Sequence, residues 1–312
     1  NMGACVLRAL GDSKSPVWFL AAASAINIVL DLLTVCVLGL GVAGAAIATV
    51  VSQLGSGLLC VGYLKKHFPI LRMEKDDWKL RRPEVMRLLG MGVPVGLQFS
   101  ITAIGSVMLQ SAVNSLGAVC VSGVAVAGKI FMLLACPFDA LAMAATNFTG
   151  QNLGAGKPER IKPVYRDCIL TVLLIGVPMC ALLYFFGQPL LGIYIAKDDP
   201  AYASVIASGM VHLTYMGMTY FVCGIMETCC GMVRGLGRSW MPMVVTIFGA
   251  CVLRIIWIYT IFQTHHTLDV LYLSYPVSWV VTSAVHVLCF VLIYRRMMAR
   301  WNAHKEEENA SY

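Results

Sequence analysis

Long apolar stretches separated by short polar gaps dominate this chain. Eight can be bounded, at about 17–38, 42–64, 88–113, 119–149, 165–187, 203–233, 241–263 and 270–294. Each reaches or exceeds the roughly 20 residues that a helix needs to cross a hydrocarbon core. In that medium every backbone amide and carbonyl must be paired internally, and the alternating segments of a membrane barrel are absent. The pattern therefore predicts an all-α, polytopic membrane protein with eight transmembrane helices.

The polar gaps are not equivalent. Lys and Arg gather in every second one: Arg8 to Lys14, Lys65 to Arg87, Lys157 to Arg166, Arg234 to Arg238 and Arg295 to Lys305. The alternate gaps, near Leu40, Ser115, Asp198 and His265, hold only Lys197 among them. By the positive-inside rule both ends of the chain face the cytoplasm, and the expected location is the cell inner (plasma) membrane. The first apolar run is too long and too polar at its flanks for the h-region of a cleavable signal.

Arg8-Ala9-Leu10-Gly11-Asp12-Ser13-Lys14-Ser15-Pro16 recurs 226 residues later as Arg234-Gly235-Leu236-Gly237-Arg238-Ser239-Trp240-Met241-Pro242. Five of nine positions are identical, and each copy opens a long apolar run from a basic gap. Two copies on the same side imply parallel repeats with an even number of helices each. A stretch of apolar helices precedes the second copy but not the first, so an N-terminal truncation of roughly 140 residues is expected from the repeat offset.

Composition narrows the class. Hydrophobic residues make up 59% of the chain and charged residues 12%, and the mean hydropathy is +0.77, where a soluble domain would be nearer a quarter charged. Twelve cysteines lie scattered in apolar runs without C-x-x-C or histidine at ligand spacing, and read as small packing residues. The net charge of +7 sits in short loops, where it reports topology and gives no sign of nucleic acid.

Arg8 to Pro16, Asn27-Ile28-Val29-Leu30-Asp31, Gly41 to Thr49 and Gly150-Gln151-Asn152-Leu153-Gly154-Ala155-Gly156-Lys157-Pro158-Glu159-Arg160 together resemble the multidrug and toxic compound extrusion (MATE) family. Their order and spacing agree over most of the chain. The resemblance implies twelve helices in two six-helix lobes, of which this chain holds the last two helices of the first lobe and all of the second. The corresponding division is 1–64 for the first-lobe remnant, 65–87 for a cytoplasmic linker, 88–297 for the second lobe and 298–312 for a cytoplasmic tail, polar and expected to be disordered from Asn302 to Tyr312. It also implies a secondary transporter exporting organic cations in exchange for Na+ or H+, with no cofactor beyond that ion and no enzyme activity. The expected partners are membrane lipid and small organic cations, and the expected state is a monomer.

Ionisable residues at membrane depth are functional candidates, because an unpaired carboxylate there costs several kcal/mol. Asp31 leads. Asn27 lies one turn earlier on the same face, and Thr49, on the next antiparallel helix, stands about as far from the Leu40 turn. Carboxylate, amide oxygen and hydroxyl are hard ligands for Na+ or a shared proton, and the trio matches the family's first-lobe cation site. The alternative is that the three only hydrogen-bond neighbouring helices. Glu227 lies seven residues before Arg234, about 10 Å into the membrane. It either receives a cationic substrate or proton, or pairs with Arg234 or Arg254. No acid occurs from Gly90 to Asn114, where one branch of the family places one, with Thr102 at the corresponding distance after Pro94; the chain is thus more DinF-like than NorM-like.

Lys129 and Asp139 share a run that Pro137 should kink, and they either line a central cavity or pair across lobes, Lys129 in a structural or gating role. His212 and His286 are expected as packing residues. Gly92-x-x-x-Gly96 and Gly150-x-x-x-Gly154 offer close backbone approach, and the Gly150–Gly156 run reads as a tight turn. The rival functions are a lipid-linked precursor flippase of the wider superfamily, which needs a cavity rich in Arg and Lys, and a fragment that does not transport. A membrane enzyme is disfavoured by the lack of a nucleophile–base pair, metal cluster or cofactor fingerprint.

Overall fold

The computed structural model describes residues 2–69, 77 and 79–310, with side chains to Glu307. Every regular element among them is helical. The chain divides into two compact units, Asn1–Glu84 and Val85–Tyr312.

In the first unit a short helix α1 (Met2–Ala9) precedes α2 (Lys14–Asp31), which continues as wide π-type turns over Leu32–Val37, and α3 (Gly41–His67). Gly39 and Gly41 turn the chain back between α2 and α3 with φ of +65° and +53°, a region closed to most side chains. In the second unit α4 (Arg82–Asn114), α5 (Ala118–Gly154) and α6 (Ile161–Gly192) are long single helices. They are followed by α7 (Tyr202–His212, with π-type turns to Gly217) and α8 (Tyr220–Gly235). The next span comprises α9 (Trp240–Thr246), α10 (Leu253–Tyr259) and α11 (Ile261–Thr264), and α12 (Leu268–Ala310) ends the chain.

Seven helices among the described residues are long and apolar enough to cross a membrane, or eight with α7 and α8 taken as one span bent by 42°. The spans fall on the apolar runs. Lipid-facing side chains account for their exposed surface: Ile28, Val107, Leu174 and Phe185 are all at least 60% exposed, an outlay of apolar area that only a hydrocarbon solvent favours. The second unit buries a core of its own around Phe138, Tyr220, Phe262, Tyr272 and Trp279.

α5 continues through Pro137 as one helix of 37 residues. A bend lies between α7 and α8, where π-type turns precede it and the Thr219 hydroxyl bonds back onto the Tyr215 carbonyl, both recognised causes of helix bending. Several expectations are corrected here. The polar tail is helical through Ala310, an extension of α12 rather than a disordered end. Helix continues to Gly154, and the turn expected over Gly150–Gly156 is confined to its last residues, with Gly156 at φ +67° and Lys157 N donating to Asn152 O at 2.9 Å. Of the linker expected at 65–87, residues 70–76 and 78 lie outside the described residues, while α4 already begins at Arg82.

Of the glycines expected to allow close helix approach, Gly150 faces the Gly235 carbonyl, 3.7 Å from where its Cβ would be, but the tightest approach uses others. A Cβ on Gly92, Gly96 or Gly154 would meet nothing within 4 Å, whereas one on Gly231 would strike the Ala142 carbonyl and one on Gly235 would lie 2.6 Å from the Thr146 carbonyl. Gly231 and Gly235 are four apart on α8, as Ala142 and Thr146 are on α5, so one small-residue stripe brings the two backbones together.

Candidate functional site

In the first unit, Asn27 and Asp31 stand on the stripe of α2 that also carries the buried Ala23 and Thr34. The facing stripe of α3 is small: Gly44, Ala48 and Ser52 are buried. Thr34 is set so close to Gly44 that a Cβ there would be 3.0 Å from its side chain. The Thr34 hydroxyl is spent on the Leu30 carbonyl at 2.8 Å. Asn27 Nδ2 and Asp31 Oδ1 are buried and have no hydrogen-bond partner. Leaving a donor and a carboxylate oxygen unsatisfied in an apolar helix pair is costly, and both atoms remain free to engage a further group. Thr49 differs from this pair. It is exposed, and its hydroxyl donates to Ala45 O on its own helix at 2.9 Å, which leaves its oxygen lone pairs available but ties its proton.

In the second unit, the charges of three of the four remaining candidates act on one thiol. Cys223, buried on α8, lies in the electrostatic field of Glu227, Arg254 and Asp139. Glu227 is partly buried one turn further along α8, within the field of Arg234 and Asp139. Neither Arg234 nor Arg254 comes within ion-pair distance of it. Arg234 is instead engaged by Gln98 of α4, whose Oε1 accepts from Nη2 at 2.8 Å. Asp139 is exposed.

Arg254 is held by α12. Its Nε donates to Ser278 Oγ at 2.8 Å, and its guanidinium lies 3.8 Å from the centroid of the Tyr275 ring and 5.6 Å from that of Trp279. Nη2 is buried without a partner. Thr102, with its hydroxyl on Gln98 O at 2.8 Å, borders a small cavity of about 20 Å³ beside Arg254, room for about one water.

Lys129 stands apart from this cluster. It is exposed, and its ammonium lies 5.7 Å from the centroid of Tyr194, just past α6. The histidines are built into packing. His212 Nδ1 meets the Tyr272 hydroxyl at 2.9 Å and His286 Nε2 meets Thr246 Oγ1 at 3.1 Å, all four residues being buried. Gln98, Tyr275, Ser278 and Trp279 had no place in the sequence reading. The last three were signalled by spacing, since residues 275, 278 and 279 share a face of one helix; Gln98 had no such signal.

A family model described as MatE matches residues 94–260. The probable multidrug resistance protein YpnP of Bacillus subtilis is 31% identical over 81% of this chain and 56% of its own length. The probable multidrug resistance protein YoeA of the same organism is 28% identical over 78% of this chain and 53% of its own. A transporter of the MOP superfamily from Pyrococcus furiosus superposes with a TM-score of 0.85 at 23% identity, over 94% of this chain and 65% of that one. The chain thus spans about half the length of the curated relatives it matches.

Proposed function

Because this chain belongs to the MatE family of membrane transporters, we propose that it forms part of a secondary antiporter that exports organic cations in exchange for Na+ or H+. Residues 1–64 belong to one lobe, 88–297 are the other, and 65–87 link them on the cytoplasmic side. Asp31 and Asn27 bind the coupling ion, with Thr49 contributing an oxygen. The observation that carries this reading is the pair of buried, unpartnered atoms, Asp31 Oδ1 and Asn27 Nδ2, on one stripe of α2. A cation or proton arriving there removes the cost of the orphaned carboxylate, and its departure restores it. A ligand shifts a two-state equilibrium only through its differential affinity for the two states, so an acid whose satisfaction depends on an ion can couple that ion to lobe movement.

Glu227, Asp139 and Arg254, whose charges act on Cys223, would contact substrate; Lys129 serves gating or structure. A flippase for lipid-linked precursors calls for a cation-dominated cavity, and the mixed charges at membrane depth, Lys129 and Arg254 against Asp31, Asp139 and Glu227, favour the antiporter. The lack of an acid from Gly90 to Asn114 favours the DinF-like branch.

The experiment is Asp31→Asn in the full-length transporter, with efflux of a cationic dye followed under imposed Na+ and pH gradients. Gradient-driven efflux should disappear while membrane insertion is unchanged. Undiminished gradient-driven efflux in this variant removes Asp31 from the mechanism.

A further inference from the structure

The duplicated turn contains a charge reversal, Asp12 in one copy and Arg238 in the other. Both copies end a helix with the same backbone: Gly11 and Gly237 have φ of +93° and +76°, Asp12 N donates to Leu7 O at 3.0 Å, and Arg238 N donates to Val233 O at 3.2 Å. In the first copy the residue after glycine is Asp12, whose carboxylate accepts from Lys14 N at 3.1 Å, Ser15 N at 3.0 Å and Ser15 Oγ at 2.6 Å. In the second copy Arg238 holds that place. A guanidinium accepts nothing, so the side chain cannot cap the next helix, and it borders a cavity of about 520 Å³.

The remaining basic residues of the cavity come from the helical extension of α12. Arg296, Arg300 and His304 succeed one another at four-residue intervals and so form one row, with Met297 and Trp301 on the adjoining row. Among the described residues no acid lines the cavity. Among the described residues none of the three arginines has an ion pair or hydrogen bond, although like charges at this spacing repel one another. Trp301 packs over Gly156, where a Cβ would be 3.6 Å from its ring, and its Nε1 is a buried donor without a partner. The apolar side of the cavity joins the core around Ile161, Met232 and Phe290. The apolar run of α12 ends near Tyr294 and its charges begin at Arg295, so the cavity spans the level at which hydrocarbon gives way to headgroups.

We propose that this cavity binds a phosphate-bearing anion. Arg238, Arg296 and Arg300 clamp the phosphate, and Met297 with the indole ring of Trp301 takes an adjoining apolar portion. Guanidinium groups suit phosphate because they donate in parallel pairs. The position at the membrane surface favours the headgroup of an anionic phospholipid, to which basic clusters are attracted; a soluble phosphate shares the chemistry.

The test is the thermal stability of the purified full chain, measured with dioleoyl-phosphatidylglycerol, dioleoyl-phosphatidylcholine or inorganic pyrophosphate. The variants are R296Q/R300Q, R238Q on a separate element, and K65Q/K66Q as a control for exposed charge at the end of α3. Phosphatidylglycerol should raise Tm by roughly 3 °C or more over phosphatidylcholine. R296Q/R300Q should lose most of that rise, R238Q part of it and K65Q/K66Q none. The readout is the ligand-dependent rise, so a change in baseline stability does not obscure it. A rise with pyrophosphate alone, lost in the same variants, supports the site and makes its ligand soluble. An undiminished rise in R296Q/R300Q, an equal loss in K65Q/K66Q, or no rise with either anion overturns the proposal.

Discussion

The Arg254 guanidinium lies 3.8 Å from the centroid of the Tyr275 ring, across the contact between α10 and α12. The ring face offers the cation the electron density that water would otherwise supply, and Ser278 takes one of its donors. Tyr275→Leu should therefore cost about 1–2 kcal/mol, read as a lower Tm in detergent. Arg254→Lys should cost a comparable amount, because an ammonium cannot reproduce the flat stacking with the Ser278 bond. Wild-type Tm in both variants would mean that the stack contributes nothing.

The two polar neighbours of Asp31 should differ in weight. Asn27 has a free buried donor, while the Thr49 proton is tied to Ala45. In the full-length transporter, Asn27→Ala should raise the Na+ or proton concentration needed for half-maximal efflux by about tenfold, the equivalent of 1.4 kcal/mol. Thr49→Val should raise it less. The reverse ranking in a titration of efflux against ion concentration would shift the site toward α3.

Glycine positions give a paired test of helix packing. Gly231→Ala should destabilise the second unit by about 1–3 kcal/mol, since its new methyl meets the Ala142 carbonyl and backbone cannot move aside cheaply. Gly92→Ala meets nothing within 4 Å, and should be neutral or stabilising by up to about 1 kcal/mol through the lost freedom of the unfolded chain. Unfolding of both variants by heat or denaturant checks the contrast.

Asp12 predicts an acid-sensitive turn. Its hydrogen bonds from Ser15, side chain then backbone, hold the carboxyl below its usual value of 3.8. A carboxyl lowered on folding stabilises above its unfolded pKa, and that contribution drains away as pH falls through the lower, folded value. The start of α2 should thus be intact at pH 5 and above and loosen only below about 4. Asp12→Ala should already show the loosened state at pH 7, at a cost of about 1 kcal/mol. Amide exchange at Lys14 and Ser15 would report it, and pH-independent exchange in the wild type would contradict it.

Length and hydropathy alone determined the spans, because a helix is the chain's own way of satisfying its backbone in lipid, and a run of about 20 apolar residues leaves little choice. The duplicated turn was equally local: Gly11 and Gly237 adopt the same positive φ since the bonds that close each turn join residues only three to five apart. Candidate charges were visible for the same reason, an ionisable residue being conspicuous in an apolar run. What those charges do was decided by tertiary packing. Nothing in the local pattern distinguishes Asp31, left with an orphaned oxygen, from Arg254, wrapped by two aromatic rings, or shows that Gly231 and not Gly92 meets a neighbouring backbone. The free energy of a buried polar group depends on atoms that arrive from distant helices, and sequence spacing carries no account of which helix faces which.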